Sequence, residues 1–239
     1  MPVVEPQWLD ILEQIRTLPE RSVVYVLGGS DRGKTTLSRY LVQELAAEYP
    51  TAFIDCDMGQ SVIGPPTTLG MRLYPDGREY LRFVGSTSPS GHLLQTLAAE
   101  KRLLEKALEL KARKVVIDSS GFVLGAVPEE FQFQTIDLLQ PDHLVAIQRG
   151  EELEDLLDNF RRQERMRIYR LSPSFAVVER SREERRAYRE KIFTDYFRGA
   201  RSLEVPLKSL GIHGKVPDPA LPGHWRDLLL GLNNGENML

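Results

Sequence analysis

Eight consecutive residues, Gly28-Gly29-Ser30-Asp31-Arg32-Gly33-Lys34-Thr35, have the G-x-x-x-x-G-K-[ST] spacing of a loop that cradles nucleotide phosphates. Glycines let such a loop curl so that its N–H groups face the anion, and a following helix adds its dipole. Lys34 would neutralise the β- and γ-phosphates, and the Thr35 hydroxyl would ligate Mg²⁺. The guanine-reading N-K-x-D and T-K-x-D patterns are absent, which argues against a GTPase. Leu27 and Gly28 stand where one class of P-loop ATPases has a second lysine, so that class is also disfavoured.

Two groups of carboxylates could serve the same loop. Asp55 and Asp57 are two residues apart, so in an extended chain both would point into one cleft and Cys56 away from it. One carboxylate could support a hydrated metal while the other takes a proton from an attacking hydroxyl. Asp118 ends the run Lys114-Val115-Val116-Ile117-Asp118, the usual place for an acid beside Mg²⁺. Cys56 reads as a buried structural thiol.

Arg182, Arg185, Arg186 and Arg189 fall at i, i+3, i+4 and i+7, one face of a helix that continues to Phe193 and Tyr196. An inward row of arginines needs anions, and a triphosphate would supply them; Arg180 is placed to join. Arginines closing over phosphates can stabilise the charge of a transferring phosphoryl group, and the lid they form excludes water. The alternative is a solvated face whose arginines pair with neighbouring acids.

Charge distribution supports a local site. The whole chain of 239 residues carries −3, but residues 161–201 hold twelve Arg and one Lys against six acids, a local +7 on a body of −10. Such a segment suits a phosphate-bearing partner. Composition is that of a soluble globular fold, 41% hydrophobic and 27% charged, with no apolar run long enough for a membrane span. The start has no signal-peptide pattern and there is one cysteine, so a disulfide framework and a cysteine-rich zinc site are excluded and a cytoplasmic location is expected.

These residues need a scaffold. Helical spacing predicts a leading helix over 7–18, and a continuous apolar run predicts a buried strand over 22–27. A helix follows from 34 to about 49, then a strand over 52–55 and a Gly/Pro-rich loop to 66. Residues 67–73 and 79–84 could pair as a hairpin about Pro75-Asp76-Gly77. A leucine-rich helix over 93–110, strands over 114–118, 144–147 and 167–171, and helices beside the last two complete the pattern. Alternation of this kind indicates a three-layer α/β P-loop fold with a mostly parallel sheet. The expected organisation is a leading helix to residue 21, a P-loop domain over 22–212 with an Arg-rich helical lid at about 161–200, and a distinct tail over 213–239.

Four blocks in order, residues 28–36, 55–70 (DCDMGQSVIGPPTTLG), 83–92 (FVGSTSPSGH) and 180–189 (RSREERRAYR), resemble the polynucleotide 5′-hydroxyl kinases. That family includes the kinase of the eukaryotic pre-mRNA cleavage complex, the pre-rRNA-processing kinase and shorter prokaryotic relatives. The resemblance implies ATP and Mg²⁺ as cofactors and, as partner, RNA or DNA with a 5′-hydroxyl end. It implies Asp57 as general base with Gln60 beside it. It makes residues 86–92 a clasp for the strand end, with Thr87, Ser88, Ser90, Gly91 and His92 as contacts, and residues 180–189 a lid. Lys34, Arg180 and Arg185 would then act on the phosphates, Arg186 and Arg189 on the strand, Gly28 through Thr36 on the nucleotide, and Thr35, Asp55 and Asp118 on the metal. Residues 228–235 resemble the strand and turn that open the family's small β-rich C-terminal domain. Two other readings stay open on sequence alone: a non-catalytic ATP-binding scaffold of an RNA-processing complex, and a kinase of small molecules.

Overall fold

The computed structural model describes residues 4–17, 21–206, 211 and 228–232. The chain alternates helices and strands: α1 (Pro6–Thr17), β1 (Ser22–Gly28), α2 (Lys34–Ala46), β2 (Thr51–Asp55), β3 (Thr68–Tyr74), β4 (Glu79–Phe83), α3 (Leu93–Glu109), β5 (Lys114–Asp118), α4 (Ala126–Leu139), β6 (His143–Ile147), α5 (Glu154–Asp158), β7 (Arg167–Leu171) and α6 (Arg182–Tyr196). The seven strands form one sheet in the order β4-β3-β2-β5-β1-β6-β7. β2, β5, β1, β6 and β7 run parallel, and the β3–β4 hairpin joins antiparallel at one edge. The expected three-layer α/β fold is therefore present.

Strand alternation divides the core into two layers. Val23, Tyr25 and Leu27 point to the layer covered by α3, α4 and α5, whereas Val24 and Val26 point to the layer covered by α1 and α2. β1, β2, β5 and β6 are buried along their full length, which is why each reads as an apolar run. Placing β5 beside β1, in the register Val26↔Asp118, sets the acid at the end of β5 against the loop that leaves β1. Ligand sites in open α/β sheets form at this end of the strands.

Two sequence expectations change, and a third is not described. β7 is a sheet strand, so the basic segment from residue 161 is not all lid; the lid begins after Leu171. Residues 228–232 lie in neither strand nor helix, and Gly231 rests on the Phe83 ring of β4. The remainder of the expected tail over 213–239, including residues 233–235 of its strand and turn, lies outside the described residues, as does residue 18, the last of the helix expected over 7–18. Among the described residues no helix is long and apolar enough to cross a membrane.

One buried acid has a consequence for stability. Glu100, on α3, is enclosed near Cys56, and its Oε2 has no partner. Burial pushes its carboxyl from the ordinary 4.5 up to about 8. Between those values the folded chain holds a proton that the unfolded chain has released, so stability falls as pH rises through this window. Glu100→Gln keeps the shape without the charge. Its unfolding free energy from urea titrations should exceed that of the wild type by a margin that widens from pH 5 to pH 9, reaching a few kcal/mol. A margin constant with pH would refute the buried-charge account.

Candidate active site

The phosphate-binding loop follows from how closely other backbone approaches it. A Cβ on Gly28 would stand 2.5 Å from the Ile147 carbonyl oxygen of β6, and one on Gly121 would stand 2.3 Å from the Ser30 hydroxyl. Contacts this short admit only glycine at both places. The loop then turns through Gly33, at φ 89°, into α2, whose first residue is Lys34. Lys34 is nearly buried, and its Nζ donates to the Gly29 carbonyl at 2.9 Å, across the mouth of the loop.

Thr35 and Asp118 meet as the motif spacing implies. The Thr35 hydroxyl donates to Asp118 Oδ2 at 2.6 Å, while Asp118 Oδ1 is buried without a partner. Burial raises the Asp118 carboxyl to about 6, with Lys34 and the Thr35 bond opposing the rise. Thr36 lies in the first turn of α2 with its side chain exposed, outside the group that meets Asp118.

The two acids after β2 separate. Asp57 Oδ1 accepts the backbone N–H groups of Gly59 (3.0 Å) and Gln60 (2.9 Å), a tight turn that aims the carboxylate into a cavity. Asp55 faces away from that cavity. Its Oδ1 accepts the Asp57 N–H at 3.1 Å, and its Oδ2 accepts those of Val62 (2.6 Å) and Ile63 (3.2 Å). Burial and the nearby Asp118 push its carboxyl well above the usual range. The expectation that Asp55 and Asp57 share a face fails because β2 ends at Asp55, so strand alternation does not reach Asp57. Asp55 is an anchor for residues 57–63, and the metal-supporting part expected of it has no opening here.

The cavity, about 270 Å³, is lined by Ser30, Asp57, Met58, Gly59, Gln60, Thr87, Ser88, Pro89, Ser120, Gly121, Phe122, Arg185 and Arg189. Of the clasp residues Thr87 and Ser88 reach it; Ser90, Gly91 and His92 do not. Ser90 and Gly91 are exposed, and the His92 N–H bonds to Pro89 at 2.8 Å as the chain enters α3. Arg32 turns away from the phosphates to pair with Glu152, at 3.0 and 3.3 Å, tying the loop to the segment after β6. A larger polar hollow of about 440 Å³ lies at the ends of β6 and β7, between Gln148, Glu154 and Arg170.

Helix α6, the expected lid, borders this cavity through Arg185 and Arg189. Ser181 and Glu184 form a capping box at its start, the Ser181 hydroxyl accepting the Glu184 N–H at 3.1 Å. Arg185 forms an ion pair with Asp31, and the Arg180 N–H bonds to the same carboxylate at 3.0 Å. On the opposite wall, the Arg180 guanidinium donates to Gln60 Oε1 (3.3 Å), and the Tyr188 hydroxyl donates to the Ser61 carbonyl (2.9 Å). The inward face is Arg185, Tyr188, Arg189, Ile192 and Phe193, all half-buried. Arg182 and Arg186 are exposed, and Arg186 pairs with Glu190 at 2.8 Å on the solvent side. The arginine stripe is thus rotated from the expected one, because Tyr188 and Ile192, with their larger apolar surfaces, take the inward positions. Tyr196 is also exposed.

Sequence reasoning did not single out Ser120, Gly121 and Phe122. The signal available was the glycine three residues after Asp118, a spacing that brings backbone against Ser30. Gln60 was expected only as a neighbour of Asp57; it is also a bolt for the lid, since its Nε2 donates to the Arg185 carbonyl at 3.4 Å.

Comparison with known proteins agrees with this geometry. The family described as mRNA cleavage and polyadenylation factor CLP1 P-loop matches residues 28–199. A polyribonucleotide 5′-hydroxyl-kinase of Methanocaldococcus jannaschii is 30% identical over 203 residues, covering 80% of this chain and 54% of its own. One from Pyrococcus furiosus is 30% identical over 211 residues, covering 84% and 58%, and the Clp1 kinase of Gallus gallus is 28% identical over 266, covering 95% and 59%. The chain therefore spans a little over half the length of these curated relatives. Clp1p in its solved complex with Pcf11p superposes with a TM-score of 0.63 at 18% identity, over 79% of this chain and 52% of that one, a likeness of fold. With its matched region running from the first glycine of the phosphate loop to the end of the lid, the chain belongs to the CLP1 P-loop family.

Proposed function

We propose that the protein is an ATP-dependent polyribonucleotide 5′-hydroxyl kinase. The observation that carries this reading is the convergence of Asp57, Ser30, Thr87, Ser88, Arg185 and Arg189 on one cavity at the C-terminal edge of the sheet, beside the phosphate loop. The names of the relatives support RNA as the acceptor.

In this reading the triphosphate of ATP lies on residues 28–35, and Lys34 exchanges the Gly29 carbonyl for the β- and γ-phosphates. Thr87 and Ser88 hold the strand end so that its 5′-hydroxyl lies near Asp57. The hydroxyl oxygen bonds to the γ-phosphorus, the bond from that phosphorus to the β–γ bridging oxygen breaks, and ADP leaves. The hydroxyl proton passes to Asp57, whose turn with Gly59 and Gln60 fixes its direction. Arg185 and Arg189 meet the charge that spreads over the transferring group. Thr35 and Asp118 suit Mg²⁺, since Asp118 Oδ1 is buried and unpartnered, and an ion there needs few protein ligands when phosphates and water supply the rest. When bound, that ion would neutralise charge on the β- and γ-phosphates.

The direct test supplies ATP with oligoribonucleotides bearing a 5′-hydroxyl or a 5′-phosphate. Transfer only to the first is expected. Tight ATP binding without transfer to any strand would instead mark a scaffold.

Lys34→Ala should impair transfer and weaken ATP binding; wild-type turnover would overturn the loop assignment. Asp57→Asn should lower kcat by roughly 10²–10⁴, the usual worth of a positioned base, with ATP affinity close to that of the wild type. Asp55→Asn should act differently, lowering the thermal midpoint as it loosens the anchor of residues 57–63. If Asp55→Asn abolishes turnover in a chain of undiminished stability while Asp57→Asn does not, the two roles are reversed.

A further inference from the structure

Asp31 is an odd residue for its place. It puts a carboxylate within a loop built to receive phosphates, and it does so at φ 52°, a left-handed conformation that aspartate tolerates better than most residues. Its Oδ2 takes the Arg180 N–H at 3.0 Å and the Arg185 guanidinium, while Arg185 Nε donates to the Arg180 carbonyl at 3.3 Å. These three contacts close a ring joining the phosphate loop to the first turn of the lid. Two of the five guanidinium N–H groups of Arg185 are spent in the ring. The side chain still lines the cavity, with three donors left for an anion.

From this we infer that Asp31 is a positioning residue, holding the planar fork of Arg185 against the cavity wall in the orientation that meets the transferring phosphoryl group. The inference rests on the kinase reading for its catalytic consequence, but the Asp31–Arg185 anchor stands on geometry alone. A free arginine would carry its full charge and many rotamers to the nucleotide. One tied to Asp31 offers less net charge but a fixed fork, and orientation is what a short-lived transition state rewards. Asp31 also repels the ground-state triphosphate, so its two effects on ATP act in opposite senses: it weakens binding and speeds transfer.

Asp31→Asn is close to isosteric and retains an acceptor without charge. It should lower kcat about 10- to 100-fold while leaving the ATP KM unchanged or lower, a split that simple damage to the binding site would not give. In an Arg185→Ala background the same change should cost less than about twofold, because the residue acts through Arg185. Lid anchoring has a readout that needs no turnover: without nucleotide, trypsin should cut between residues 180 and 189 several-fold faster in Asp31→Asn than in the wild type. An unchanged kcat, a rise in KM alone, or a full loss repeated in the Arg185→Ala background would overturn the catalytic role. Equal tryptic rates would overturn the anchor itself. If the wild type transfers no phosphate to any strand, the kinase reading fails, and the tryptic rates still decide the anchor.

Discussion

The phosphate loop is pinched between two backbones. Ile147 of β6 presses on Gly28 from one side, and Gly121 presses on Ser30 from the other, leaving no space for a Cβ at either glycine. The neighbours of the loop follow from that crowding. Packing β1 between β5 and β6 brings the ends of three strands together, and with them Asp118 comes within hydrogen-bond reach of Thr35. The segment after β5 is forced along the loop, so residues 120–122 become a cavity wall without contributing any charge. The shape of the phosphate loop is thus a property of sheet packing.

Residues 57–63 and the lid are organised differently, by hydrogen bonds from buried or half-buried polar groups. Asp55 gathers three backbone N–H groups and thereby sets the turn in which Asp57 stands. The lid has no fully buried residue, and its grip comes from Asp31 on one wall and from Gln60 and the Ser61 carbonyl on the other. A packed core shapes the phosphate loop while a few polar contacts hold the cover. The energetic contrast suits the proposed kinase, whose site would keep one geometry yet admit and release a strand.

Much of this was legible in the sequence, and the failures have physical causes. The central strands were readable because burial on both faces removes polar residues from them. The phosphate loop and Asp118 were readable because spacing and strand ends fix their relation. That one of Asp55 and Asp57 could take a proton was read from their spacing, and the choice of Asp57 came from resemblance. Helix α4 had no stated boundaries, since its apolar positions alternate with acids and glutamines and Pro128 sits in its first turn, where proline is tolerated but reads as a break. The arginine stripe was misaligned because periodicity identifies a face without saying which residues on the helix outcompete it for burial. The pairing of the Arg32 side chain with Glu152, 120 residues away, was beyond the reach of local spacing.

Among the described residues the sheet ends with β4 at one margin and β7 at the other. A sheet margin left open invites pairing with another chain. β7 carries Arg167 and Arg170, the latter held to Glu154 at 2.9 Å, and β4 carries Glu79 and Arg82 while Gly231 covers its Phe83 ring. Charge at one border and charge with a crossing segment at the other make both poor templates for a foreign strand. Among the described residues, a sheet of seven strands, antiparallel at only one margin, thus carries charge at both borders.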